Sequence, residues 1–491
     1  MTVNEPNAIA WLLLISGVLV LTSVLFSRTS ERIGLPAVLL FLLLGLAAGS
    51  WLPVQFDDHG TAFRLGTVAL VLILFDGGLN TPWKVARAHL APASVLATLG
   101  VAGTALLMAT AAWLLGLGWI EALLLGAIVS STDAAAVFSA LRGANVQLRR
   151  RVSATLELES GLNDPMAVIL TIALTGALAT PESFSVSQLL LQIVLQLVIG
   201  ALSGLFIGVA GRWIVTRIRV PVAGLYPAMT VALALLAFAL PTLMLGSGFL
   251  AVYVAGLVLG NGRLPYRAGI IRVHDALAWL GQITLFLALG LLARPALLPD
   301  WFWTGLVLAL ILALVARPVV VWLCLAPFAY PRRESAFIAW MGLRGAVPIL
   351  LASYPVMAGV EHGLALFHLV FFIVVVNALV PGATVRWAVE RLGVERAGLP
   401  RPSPVLEIMS TEQLPVRILS FLIEPAAMVA GIRLDSLPLP QGTRILLVIR
   451  DGQIVALETD TTLQAGDHVH LMCSPGQIRS VELLFGLREE D

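Results

Sequence analysis

Charged residues are scarce in this chain. They make up 12% of its 491 residues, where a water-soluble domain carries roughly 25%. Hydrophobic residues make up 59%, so an ordinary soluble enzyme is excluded and a polytopic membrane protein is expected. The formal net charge is +1, which offers no basic surface to nucleic acid. The two cysteines, Cys324 and Cys473, lie in different regions without ligand spacing. Neither a disulfide framework nor a transition-metal site is expected from them, and no cofactor is expected. The segment Met1–Trp11 has no basic n-region or small-residue cleavage site, so the first apolar run reads as a retained helix. There is no TVGYG-like filter for a channel, no G-x-G-D for an intramembrane aspartyl protease, and no G-x-G-x-x-G for a dinucleotide.

Apolar runs are abundant. Thirteen are long enough to be membrane helices, near 9–27, 35–50, 64–80, 90–116, 120–141, 153–179, 187–211, 221–241, 243–261, 275–293, 301–328, 335–357 and 365–388. Arginine and the single lysine, Lys84, fall in alternate loops: Arg28 and Arg32, Lys84 and Arg87, Arg142 with Arg149–Arg151, Arg212–Arg219, Arg263–Arg272, Arg332 and Arg333, Arg386 and Arg391. By the positive-inside rule these loops are cytoplasmic, which puts the N-terminus outside and the C-terminus inside.

Charges inside the apolar runs are the functional signal, because a charge at the bilayer centre costs roughly 2.5–3.5 kcal/mol on insertion scales. At about 1.5 Å per helical residue, Asp76, Asp133, Asp164 and Arg344 all lie roughly 15–20 Å deep. Ser160 and Asp164 are one turn apart on one helix face, and Glu159 and Asn163 on another. A hydroxyl and a carboxylate on one face suit a cation. Glu159 is expected to form a structural ion pair with Arg344, leaving Asp164 for substrate, with Glu157 in a cytoplasmic funnel. Ser130-Ser131-Thr132 before Asp133, and Gly342-Leu343-Arg344-Gly345 before Pro348, read as helix interruptions. They occupy the fifth run of runs 1–6 and of runs 8–13, which fits two inverted six-helix repeats with crossing helices.

After about residue 395 the character changes. Residues 396–404, ending in PRPSP, read as a linker, and 405–491 as a small α+β module. Strands are expected at Arg444–Arg450, Gln453–Leu457 and His468–Cys473, with a hairpin turn at Asp451-Gly452 and a closing helix at Gln477–Phe485.

The motifs SSTDAAAV (130–137), LESGLNDP (158–165), LFDGGLN (74–80) and GLRGAVPI (342–349) resemble the NhaP-like sodium–proton branch of the monovalent cation/proton antiporters. LPLPQGTRILLVIRDG and LQAGDHVHLM resemble the TrkA-C domain, and the combination resembles the bacterial CvrA-type potassium/proton antiporters. The resemblance implies that Asp164 accepts the ion and the proton, with oxygens from Thr132 and Ser160. It implies that Asp133 stabilises the helix crossing. Asn163 stands where electrogenic relatives carry a second Asp, so electroneutral exchange is implied. The Asp76 position more often holds Glu in the family, and Asp is one methylene shorter. A homodimer is implied too, as is a small ligand, nucleotide or anion, on the C-terminal module. Potassium is the expected cation, with sodium the alternative and a ligand-gated cation channel the rival class.

Overall fold

A computed structural model describes the chain except residues 1–4, 34–35, 52–55, 144–145, 180–184, 219, 396–416, 424–426, 451–452, 459 and 487–491. The expected linker and the Asp451-Gly452 turn therefore lie outside the described residues. The chain divides into a unit of residues 1–396 and a unit of 397–491.

All thirteen apolar runs are helical. The first three are α1 (Glu5–Ile33), α2 (Ala37–Trp51) and α3 (His59–Asn80). The fourth is α4 (Trp83–Val95) and α5 (Val101–Leu114), joined through a π-helical turn at Leu96–Gly100. The fifth is broken into α6 (Trp119–Ile128) and α7 (Ala134–Gly143). Then follow α8 (Arg150–Ala179), α9 (Val186–Arg217), α10 (Leu225–Leu243), α11 (Gly248–Gly260) and α12 (Arg267–Leu292). The eleventh run is α13 (Phe302–Ile311) and α14 (Arg317–Leu325), again with a π-helical turn between them at Leu312–Ala316. The twelfth is broken into α15 (Arg332–Trp340) and α16 (Ala346–Met357), and α17 (Gly363–Ala383) and the short α18 (Val385–Leu392) end the unit.

The packing separates two sets of helices. One set is α2, α3 and α9–α12, in which α12 lies against α2 and α3, and α11 against α3 and α9. These crossings are close because glycines meet backbone: a Cβ on Gly78 would strike the backbone of Tyr253 and Leu257, and one on Gly256 the carbonyl of Phe75. The other set comprises α4–α8 and α13–α17, with α5 against α6, α4 and α6 against α8, and α13 and α16 against α17.

The second unit is a four-stranded antiparallel sheet of β1 (Arg417–Leu422), β2 (Arg444–Arg450), β3 (Gln453–Val455) and β4 (His468–Cys473), in the order β1-β4-β2-β3. Its helix α19 (Ile478–Phe485) closes a core of Phe421, Val448, Val469, Leu471, Val481 and Phe485. Two differences from the sequence expectation appear. The run RILSFL is a strand that was not expected, paired along its whole length with β4. The second expected strand, β3 here, stops at Val455 rather than Leu457. Asp467 is fully buried and accepts from Arg450 Nε and Nη2, at 2.7 and 2.9 Å.

Candidate ion-binding site

Both interruptions form. Residues Val129–Asp133 and Met341–Gly345 leave the helical path, and the two breaks touch. The Asp133 N–H donates to the Leu343 carbonyl at 2.9 Å, and an Arg344 Nη1 donates to the Ser131 carbonyl at 2.9 Å. The glycines of the second break explain its composition. A Cβ on Gly345 would overlap the Asp133 carboxyl, and one on Gly342 would press on the Arg317 side chain.

A broken membrane helix leaves amides at one new end and carbonyls at the other, and lipid cannot satisfy either. Here side chains do so. Asp133 Oδ1 accepts the Ala136 N–H at 3.1 Å and so caps α7, placing an anion at a positive helix end. Arg344 sits at the carbonyl end of α6, where a cation is favoured. Ser160 stitches α8 to the break, donating to the Thr132 carbonyl at 2.9 Å and accepting from the Ala134 N–H at 3.0 Å. Asn163 Nδ2 donates to the Thr132 hydroxyl at 2.6 Å.

Asp164 is only 5% exposed, and its Oδ1 is buried without a hydrogen-bond partner among the described residues. It lies at the inner end of a cavity of about 380 Å³, with Ser160 and Asp133 beside it. Asp76, Glu157 and Asp275 also line this cavity, which reaches the surface at Asn80 and Asp275. Asp76 accepts from Asn80 Nδ2 at 2.9 Å, and α3 continues one turn past it. Glu157 accepts from the Thr81 hydroxyl at 2.8 Å. The cavity thus leads from the end of the bundle that carries Ser153 and the basic loop before α8 to Asp164. Such a path can admit a cation to one buried carboxylate.

One expected contact is corrected. Glu159 does not pair with Arg344; it is held bidentately by Arg317, at 2.5 and 2.9 Å, with both side chains almost fully buried. The reason is positional. Arg344 turns to the Ser131 carbonyl in the first break, whereas Arg317 reaches Glu159 from α14, directly after the π-helical turn. Arg317 went unnoticed in the sequence, although an arginine in the middle of LALVARPVVV carries the same signal as Arg344. Bidentate geometry is what lets such a pair offset its desolvation.

Two interrupted helices crossing beside a buried carboxylate, at the end of a one-sided cavity, define a secondary carrier of cations. The sodium/hydrogen exchanger transmembrane family matches residues 18–391, and the TrkA-C domain matches 418–486. The chain belongs to the sodium/hydrogen exchanger family and is a multi-pass membrane cation/proton antiporter with a C-terminal TrkA-C domain. It is 40% identical to a K(+)/H(+) antiporter NhaP of Alkalimonas amylolytica, over 97% of this chain and 83% of that protein. It is 41% identical to a K(+)/H(+) antiporter NhaP2 of Shewanella sp. (strain ANA-3), over 98% and 84% of the two chains. The sodium proton antiporter MjNhaP1 of Methanocaldococcus jannaschii shares the fold, with a TM-score of 0.64 at 24% identity, covering 74% of this chain and 97% of that one.

Proposed function

We propose that the protein exchanges cytoplasmic potassium for protons, one for one, by alternating access, and that both ions compete for Asp164. The observation that carries this reading is the unpartnered, buried oxygen of Asp164 at the inner end of the cavity. A bare carboxylate there is unfavourable, and either a proton or a cation relieves it. Only the loaded site then crosses between faces, so the two ions must alternate. Ser160 and Thr132 supply further oxygens, Asp76 lies on the approach, and Asp133 and Asn163 shape the crossing. The remaining charges support a single exchanged charge. Glu159 cancels Arg317, Asp133 and Arg344 balance across the break, and position 163 is an amide. Asp164 alone changes its charge state. The protein is accordingly a carrier with no chemical step.

Potassium is favoured by the names of relatives that align along nearly the whole chain. Sodium is the second reading, favoured by a Na(+)/H(+) antiporter NhaS2 of Synechocystis sp., 29% identical over 57% of this chain. The basic loops support a cytoplasmic side for the cavity mouth and for the TrkA-C module, in a bacterial inner membrane. The protein works as a homodimer whose α2, α3 and α9–α12 set is the scaffold, and the module regulates it through a nucleotide or small anion.

The test is reconstitution into liposomes with an internal pH dye, a clamped membrane potential and an imposed proton gradient. Dye recovery on adding potassium, much stronger than with sodium, is expected. Recovery with sodium alone overturns the cation, and recovery with neither overturns the exchange.

A further inference from the structure

The chain leaves the membrane unit through α18, and Gly393 ends that helix in the left-handed region, at φ +61°. The next residue, Val394, is fully buried, and its carbonyl accepts the Arg149 N–H at 3.0 Å. Leu148 and Glu395 pair in an antiparallel bridge beside it. Arg149 runs directly into α8, which carries Glu157, Glu159, Ser160 and Asp164 on one continuous helix. The loop is pinned on its other side too. Arg149 and Arg151 approach Glu334, in the first turn of α15, at 3.4 and 3.8 Å. Arg151 stacks on Tyr330 at 3.7 Å, and the Tyr330 hydroxyl bonds Thr155 at 2.7 Å. α18 itself buries Val385, Ala388 and Val389 and packs on α7, α15 and α17. Every one of these partners belongs to the helix set that contains the site, and none to the scaffold.

We infer that the C-terminal module controls exchange through this clasp: force on residue 395 is delivered by the 148–149/394–395 bridge to α8 and hence to Asp164. The inference rests on the module being the regulator. It follows from the covalent order of the chain, because the module is joined to the membrane unit through Glu395, and Glu395 is fastened to the transport helices. An α-helix is stiff along its axis, and Asp164 lies only about 20 Å from the clasp at 1.5 Å per residue.

The test compares potassium-driven proton flux of full-length variants in proteoliposomes. A six-residue Gly-Ser insertion between Leu399 and Pro400 slackens the connection, and Arg149→Pro removes the donor N–H. Proline suits that position, since it precedes the first turn of α8 and favours the extended Leu148 before it. The expected result is that the insertion alters flux about threefold, that Arg149→Pro does the same, and that the two together do no more. Arg149→Ala, which keeps the N–H and loses only the contact with Glu334, should respond to the insertion as the native chain does. Gly393→Val, which opposes the bridge from its other strand, should match Arg149→Pro and decides the matter if that variant does not fold. An insertion effect undiminished in both clasp variants overturns the clasp. A parallel variant, Val469→Asp in the module core, separates the two ideas. If it alters flux while the insertion does not, the module regulates by another route and only the clasp falls. If neither alters flux, the regulatory reading falls with it.

Discussion

The two helix sets of the membrane unit bury polarity in opposite ways. In the scaffold set, α3 meets α11 backbone to backbone at Gly78, Gly256 and Gly260, and α2 meets α12 at Gly45 and Gly290. Its buried polar contact is of the neutral kind, such as Thr230 with His274 at 2.8 Å. The other set buries Asp133, Glu159, Asp164, Arg317 and Arg344; it holds Asp133 and Arg344 at helix ends, pairs Glu159 with Arg317, and leaves an oxygen of Asp164 without a partner among the described residues. Between the sets the contacts are different again: Leu285 and Leu350 meet over Gly66, and the Tyr253 ring lies over Gly161. Side-chain tips and rings can slide or change rotamer, whereas interlocked backbones cannot. Rigidity inside each set and a yielding surface between them is what a moving ion site requires.

The largest effect expected from breaking this arrangement is at Asp164. Asp164→Asn should leave exchange at the level of protein-free liposomes, with the protein still folded. Substantial cation-driven proton flux in that variant removes Asp164 from the mechanism.

The corrected ion pair gives the next largest effect. Removing one partner of a buried pair costs about 3–5 kcal/mol, because the other charge is left unpaired. Glu159→Leu and Arg317→Leu should each lower the thermal midpoint sharply, and the double variant should recover much of the loss. Pairing Glu159→Leu with Arg344→Leu should instead give near-additive losses. Recovery in that second combination, rather than the first, would restore the Glu159–Arg344 pair that the sequence suggested.

The scaffold should behave otherwise. Gly256→Ala puts a methyl 2.6 Å from the Phe75 carbonyl, and overpacking of this kind costs about 1–3 kcal/mol. The thermal midpoint should fall while the apparent cation affinity of the surviving protein is unchanged. A changed affinity would mean that the scaffold is not separable from the site.

Much of this architecture was legible in the residues. Lipid penalises charge and broken backbone so heavily that Asp133, Asp164 and Arg344, with the SST and GLRG segments, announced the crossing. Thirteen apolar runs became thirteen helical runs for the same reason. What escaped was anything decided by rotation between helices. The sequence offered Arg344 to Glu159 and passed over Arg317, and only packing says which guanidinium faces the carboxylate and which turns to the Ser131 carbonyl. The π-helical turn that sets Arg317 has no distinctive composition in LALVA. β1 escaped because RILSFL is a short apolar run on its own, and its partner β4 is some 50 residues away in the chain, as the pairing Ser420–His470 shows.

The smallest effect tests the far end of the transport set from the clasp, and its sign can be worked out. His362, in the turn before α17, lies 2.8 Å from Glu121 in the first turn of α6. The hydrogen bond and charge of Glu121 hold the imidazole above its ordinary value of 6.5. A raised folded value means that the contact contributes fully below about pH 6.5 and is lost as pH rises through the folded value. The native chain should therefore melt slightly above His362→Gln at pH 5.5, and the gap should close towards pH 9. Both groups are partly exposed, so added salt should shrink the gap as well. A gap that is independent of pH would mean that His362 packs there without carrying a charge.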